Sequence, residues 1–265
     1  AKGVLGDRLD SESDWDSGNT SHLTHSSIQK GIDSDQLRLG YETKASDKLV
    51  LNMPMESASG AVKDVSGQGN EAAVSGTVSR QVDGVFSTNA TELNGGYLEI
   101  QDSQALNFAS NFTFSTWVKT TDSGPLYSRE TDFGTKKNPA LRIPKDEAFD
   151  GRLEMEVRGG SSSTFARSST VINNGKWHHI GARYNGTHIS VYVDGSREGI
   201  NSVNEKPVKF PKKPRIGETT TTATEKLNGQ IDQFKAFNQS LKESRIKKLA
   251  QRKGSFQTET ITTDK

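Results

Sequence analysis

No cysteine occurs among the 265 residues, which rules out a disulfide framework, a thiolate metal site and a cysteine nucleophile and leaves the redox compartment open. Charge of one sign is also missing. Lys and Arg number 34 against 33 Asp and Glu, a formal net charge of +1, so the balance selects neither nucleic acid nor an anionic membrane nor an acidic substrate as partner. No run approaches the ~20 apolar residues of a membrane span, so membrane insertion is not expected either. The opening "AKGVLGDRLD" lacks the apolar stretch of a secretion signal and is expected to have followed a removed initiator Met.

Short alternating runs punctuated by turns are what the chain has instead. Residues 1–47 are rich in Ser, Asp, Gly and Thr and read as an N-terminal arm or small subdomain for assembly or attachment, with "DQLRLGYE" as one short strand. From Lys48 the runs are "KLVLNMPM", "EAAVSGTVS", "ATELNGGYLEIQD", "FTFSTWVKT", "LRIP", "GRLEMEVRGG", "TFARSS", "KWHHIGARY", "THISVYVDG", "PRIGET" and "NGQIDQFKAFNQ". Turn signals recur roughly every 8–12 residues with no helical period between them. The expected fold is all-β, an antiparallel β-sandwich of jelly-roll type with one short C-terminal helix. In "FTFSTWVKT", Phe112, Phe114, Thr116 and Val118 face one way and Ser115, Trp117 and Lys119 the other. The helix is expected where Ser240 and Glu243 form a capping box ahead of "LKESRIKKLAQRK", with Leu241, Ile246, Leu249 and Ala250 as its apolar stripe. "GETTTTATEK" reads as a loop and 253–265 as a tail.

The densest stretch is "GKWHHIGARYNGTHISVYVDG", residues 175–195, with three of the five histidines. Asn185-Gly186 suits a two-residue type I′ hairpin, which pairs Tyr184 with Thr187, Ala182 with Ile189 and Ile180 with Val191. His178 and His179 then project to opposite faces and cannot share an ion. His179 and His188 share a face but lie four positions apart, roughly 13 Å at about 3.3 Å per residue. A zinc site is excluded on that spacing, and the histidines read as scaffold. The polar face that carries Trp177, His179, Arg183, His188 and Tyr192 is the candidate ligand surface, unless an arm or neighbour covers it.

These runs resemble the laminin-G-like members of the concanavalin A-like lectin and glucanase fold, over residues 48–252. "LVLNMPMESASGAVKDVSGQGNEAAVSG" looks like the family's opening strand and turn, "LNGGYLEIQDSQALNF" and "NFTFSTWVKT" like its next strands, "GKWHHIGARYNGTHISVYVDGSREG" like its hairpin, and "LNGQIDQFKAFNQSLKESRIKKL" like its closing strand and helix. The resemblance implies a concanavalin A-like sandwich, not a function, because the fold hosts lectins, hydrolases and adhesion modules alike. Trp177 and His179 are common in members of unrelated function. The resemblance also implies calcium as the cofactor, if any, where the opening strand meets the closing one; the matching positions are Glu56, Gly95 and Asp232.

Hydrolases of this fold place three carboxylates on alternate positions of one strand. In "GRLEMEVRGG", Glu154 and Glu156 point the same way, but the third position is Arg158, which cannot act as a general acid. "YLEIQDS" offers Glu99, Gln101 and Asp102 without the triplet, and no Gly-x-Ser-x-Gly elbow exists. Five Asn-x-Ser/Thr sites, at Asn19, Asn89, Asn111, Asn185 and Asn238, are a number chance can supply. The basic stretches "KESRIKKLAQRK" and "KPVKFPKKPR" read as solvated faces. The expectation is a non-catalytic recognition module for glycan or another surface polymer. Its expected setting is a virion surface component such as a fibre, turret or decoration protein, which meets other copies of itself or a larger assembly through the arm. The alternatives are a secreted or cell-surface adhesion domain and a glycoside hydrolase.

Overall fold

Alternation of apolar residues with a period of two gives strands that bury one face. In chain order they are β1 (Leu49–Met53), β2 (Ala72–Ser75), β3 (Val78–Asp83), β4 (Asn89–Asn94), β5 (Tyr97–Ile100), β6 (Phe112–Lys119), β7 (Gly124–Glu130), β8 (Lys137–Ile143), β9 (Arg152–Gly159) and β10 (Ser162–Val171). They continue with β11 (His178–Tyr184), β12 (His188–Val193), β13 (Ser196–Ser202), β14 (Arg215–Ile216), β15 (Asn228–Phe237) and a helix, α1 (Glu243–Ala250). The computed structural model describes residues 48–130, 137–159, 162–204, 207, 212–220 and 225–251. The arm 1–47, its expected strand and the tail 253–265 lie outside the described residues. Residues 45–251 form one unit. Among the described residues no helix is long and apolar enough to cross a membrane.

Two antiparallel sheets pack face to face. The first runs β13-β12-β11-β6-β15-β4-β3, with β1 also paired to β15; the second runs β10-β9-β8-β7-β14-β5-β2. β15 pairs with β4 along Asn228 to Ile231 and with β1 along Phe234 to Phe237, and a register shift separates the two halves. The core between the sheets is aromatic at its centre, where Phe114 lies 4.6 Å from Tyr127 and 5.0 Å from Phe108, and Tyr127 stacks on Phe234 at 6.1 Å. Phe112, Phe114 and Val118 face this core as expected, but Ser115 is buried as well, because the opposite face of β6 is covered.

The hairpin register differs from the expected one. Tyr184 pairs with Ile189, Ala182 with Val191 and Ile180 with Val193. Asn185 N donates to His188 O, so the two central residues are Gly186 (φ +96°) and Thr187. The Asn185 side-chain oxygen accepts from the backbone N–H groups of Thr187 and His188, which holds Asn185 outside the turn. The slip is two residues, so each side chain keeps its expected face. The type I′ turn falls instead at Asp194-Gly195 (φ +50° and +83°), between Val193 and Ser196.

The capping box does not form. Thr113 Oγ1 donates to Gln239 O and accepts from Leu241 N, which holds this segment extended, and α1 starts at Glu243 after Lys242 without a side-chain cap. Two strands went unexpected. β7, "GPLYSRE", turns Arg129 inward to pair with Asp102 at 2.9 Å, which breaks the apolar alternation. β13 is an exposed edge strand with no apolar face.

β13 and β10, edge strands of the two sheets, close one side of the sandwich. Glu198 accepts from the backbone and hydroxyl of both Ser169 and Thr170, and these bonds outweigh burial and hold its carboxyl below the usual range. Gly199 permits the approach, since a Cβ there would lie 2.2 Å from the Arg167 carbonyl oxygen. Gly199→Ala is therefore expected to cost about 1–3 kcal/mol of stability, read from the urea midpoint. An unchanged midpoint would contradict the contact.

Candidate functional site

The hairpin face is largely covered. His179 is fully buried, its Nε2 2.9 Å from Ser115 Oγ and its ring edge-on to Trp117 at 5.3 Å. Burial, with a smaller contribution from the Lys235 charge, pushes its pKa down to about 3, so the ring is neutral near pH 7. Tyr192 is buried with Phe237, Leu241 and Ile246, the last inserted where Gly181 has no side chain. Arg183 sits over the Tyr192 ring at 5.5 Å and donates to Leu241 O. Three of the five expected ligand residues are thus covered, Arg183 and Tyr192 by α1 and its lead-in and His179 between Ser115 and Trp117, which corrects the expectation for them. Their alternation matches an exposed face, and it is covered only by chain distant in sequence, α1 over Tyr192 and the β6 side chains beside His179. Trp177 and His188 are half-buried, with His188 Nδ1 2.9 Å from Thr187 Oγ1. His178 faces Asp194 at 2.9 Å, so the three rings do not converge.

Of the three positions matched to calcium, two come together. Asp232 is buried on β15; its Oδ2 accepts from Val85 N and Thr88 Oγ1 at 3.0 Å each, while its Oδ1 is buried without a partner. The Gly84–Thr88 turn wraps this carboxylate so closely that a Cβ on Gly84 would lie 2.7 Å from it. Burial chiefly, and the nearby Glu56 charge, push the Asp232 pKa up to about 6, against the backbone and hydroxyl bonds that lower it. Glu56 itself is exposed and held by Asn89 Nδ2 at 2.8 Å. Three non-glycine residues beside these groups adopt left-handed backbone: Met55 (φ +63°), Phe86 (+63°) and Gln233 (+51°). Gly95 is elsewhere. It follows Asn94, which pairs with Asn228, whereas Thr91 pairs with Ile231, so Gly95 lies roughly 15 Å along the strand at about 3.3 Å per residue. The Gly95 carbonyl oxygen also accepts from Lys226 Nζ at 2.7 Å. Two carboxylates and an unpartnered oxygen suit the acidic half of a hard-cation site. Among the described residues no group of three or more His, Cys, Asp or Glu converges, so backbone and water oxygens would complete it.

The face of the second sheet turned from the core carries a lattice of opposite charges. Leu153, Met155 and Val157 enter the core, so Glu154, Glu156 and Arg158 take the other face of β9. Glu154 Oε1 accepts from Arg142 on β8 and Oε2 from Arg167 on β10. Glu156 Oε1 accepts from Ser163, with Arg142 3.6 Å from Oε2. Arg167 is flanked by two rings, 4.0 Å from Phe149 and 4.7 Å from Phe165. Further along the sheet Arg215 bonds Glu99 and Glu218 and lies over Tyr97 at 4.5 Å. The glutamates were visible in the sequence. Their partners were not, because Arg142, Phe149 and Arg167 reach them only through the order of the strands.

Comparison with known proteins agrees with this architecture. The family profile Laminin_G_3, described as the concanavalin A-like lectin/glucanases superfamily, matches residues 92–247. No curated protein sequence matches the chain. Similar solved structures include the binding domain of Paraclostridial Mosquitocidal Protein 1 (TM-score 0.62, 18% identity, 77% of this chain and 52% of that one). The binding domain of botulinum neurotoxin DC in complex with SialylT also matches (0.58, 16%, 77% and 51%). So does a structure of botulinum neurotoxin type C, whose cell entry is dependent upon interaction with two ganglioside molecules (0.60, 17%, 77% and 51%). The chain spans about half the length of these structures, and at such identities the likeness is one of fold. Two antiparallel sheets in this order, with a profile matching more than half of the residues, mean that the chain belongs to the laminin-G-type concanavalin A-like lectin/glucanases superfamily.

Proposed function

We propose that this sandwich is a non-catalytic recognition module that binds glycan through the outer face of β8, β9 and β10. The observation that carries the reading is the pairing of Glu154 and Glu156. Both oxygens of Glu154 are bonded to arginines, and Glu156 is taken up by Ser163 and Arg142, so neither presents an oxygen to a scissile bond. Beside them stand the half-buried Phe149 and Phe165 rings, each with Arg167 over one face, and aromatic rings are the groups that sugar rings stack on. The gangliosides and SialylT of the toxin relatives supply a precedent for glycan binding in proteins that contain this fold.

Attachment to a larger assembly is assigned to the polar segment 1–47. Co-purification of the protein with particles, with cell envelope or with medium separates a virion surface component from a secreted or cell-surface adhesion domain. Calcium is assigned to Asp232 and Glu56, without Gly95.

On a glycan array the full chain is expected to bind, with Phe165→Ala and Phe149→Ala each weakening binding at least about tenfold through loss of ring contact. A β-glucan panel should stay intact. Hydrolysis lost on Glu154→Gln, or binding that ignores Phe165 and disappears with Trp177→Ala, would overturn the reading.

Asp232 gives a pH signature. Its folded-state pKa of about 6 exceeds the ordinary 3.8, so the folded state takes the proton first. The resulting stability is fully present below about pH 4 and is lost as the pH rises through about 6, a difference of up to about 3 kcal/mol. Without metal, wild type is expected to gain stability on acidification relative to Asp232→Asn, measured by denaturation across this range. Added calcium should raise the wild-type Tm at pH 7 and leave Asp232→Asn unmoved; equal shifts in both would contradict the calcium assignment.

A further inference from the structure

The arginines on the outer face of the second sheet are not equivalent. Arg142 and Arg167 are engaged by Glu154, and Arg215 by Glu99 and Glu218. Arg158, at the far end of β9, makes no side-chain hydrogen bond or ion pair among the described residues, although it is half-buried and its Nε is shielded from water. A half-buried guanidinium without an acceptor is only partly hydrated, so an acceptor that reaches its outer nitrogens gains more there than at a fully solvated arginine. No carboxylate on β9 supplies one: Glu156, two residues back on the same face, is turned to Ser163 and Arg142.

The surroundings suit a sugar. Ser163 lies directly across from Arg158 and Phe165 directly across from Glu156, so the Phe165 ring is the diagonal neighbour of the guanidinium on the same face, about 7–8 Å away at the backbone. Along this face Arg142, Arg152, Arg158 and Arg167 stand against Glu154 and Glu156, a surplus of two positive charges, in a chain whose net charge is only +1.

We infer that the glycan bound here is acidic, with Arg158 as the anchor for a sugar carboxylate and Phe165 as the stacking surface for the ring that carries it. The inference rests on the glycan-binding reading above and narrows it to one ligand class. A carboxylate is favoured over a neutral hydroxyl cluster because the planar guanidinium fork matches its two oxygens, and such charge-assisted pairs are the strong ones.

The full chain is titrated, by calorimetry, with 3′-sialyllactose and with a hyaluronan tetrasaccharide, and with the carboxyl methyl ester of each as the neutral control. At least one acid is expected to bind about tenfold or more tighter than its ester. Arg158→Gln should erase that difference while leaving the Tm unchanged, because Arg158 has no hydrogen-bond or ion-pair partner to lose among the described residues. Arg158→Lys should recover part of it, since charge remains and the fork does not. If acid and ester bind equally and Phe165→Ala still abolishes both, the acidic assignment falls and the glycan face stands. If the acid preference survives Arg158→Gln and disappears with Arg152→Gln, the anchor is wrong. Failure of every probe, with a blank glycan array, would overturn both.

Discussion

A β-sheet has two faces and the shared core takes only one, so the rest of this molecule follows from how each second face is closed. The first sheet closes its outer face with chain: α1 and its lead-in lie over Tyr192 and Phe237, and the Gly84–Thr88 turn brings Phe86 edge-on to Trp117 at 5.2 Å. The second sheet closes much of its outer face with side chains. Glu154 and Glu156 are 1% and 2% exposed, under arginines from the neighbouring strands. Removing one partner of a fully buried pair costs about 3–5 kcal/mol, but Arg142 and Arg167 are about a third exposed, and solvent screening cuts the cost here. This face is closed by arginines and rings, and it is the one to which we assign the ligand.

The Asp232 region shows a different use of constraint. Left-handed backbone at a non-glycine residue costs on the order of 1–3 kcal/mol, and three such residues border one buried carboxylate. The register shift in β15 between Asp232 and Lys235 accompanies the change of partner from β4 to β1 and turns Asp232 toward the Gly84–Thr88 turn. Strain, burial and an unpartnered oxygen thus meet at a single group, and the pairing of the opening strand with the closing one runs beside it.

Period-two alternation and turn chemistry made the sandwich legible. Asp194-Gly195 behaves as its type predicts, whereas at Asn185-Gly186 the Asn side chain takes the amides of Thr187 and His188 and pushes the turn one residue along. The capping box failed for a similar reason: a threonine from β6, remote in sequence, competes for the same backbone. The site was less legible because it depends on neighbours in space. Tyr192 and His179 look like a polar surface until a helix some fifty residues later covers the first and Ser115 and Trp117 of β6 enclose the second. Arg158 read only as the residue that spoils a catalytic triplet; that it lacks a partner among the described residues while Arg142 and Arg167 have theirs depends on strand order and register, which no local pattern encodes.

The central claim is that contact with a ligand falls on β8, β9 and β10 and leaves the histidine hairpin as scaffold. Amide hydrogen exchange of the full chain, with and without the tightest glycan found on the array, tests it most directly. The account predicts new protection between Lys137 and Val171 with exchange in His178–Val193 unchanged. Protection confined to that hairpin or to α1, with β9 and β10 unaffected, would contradict it.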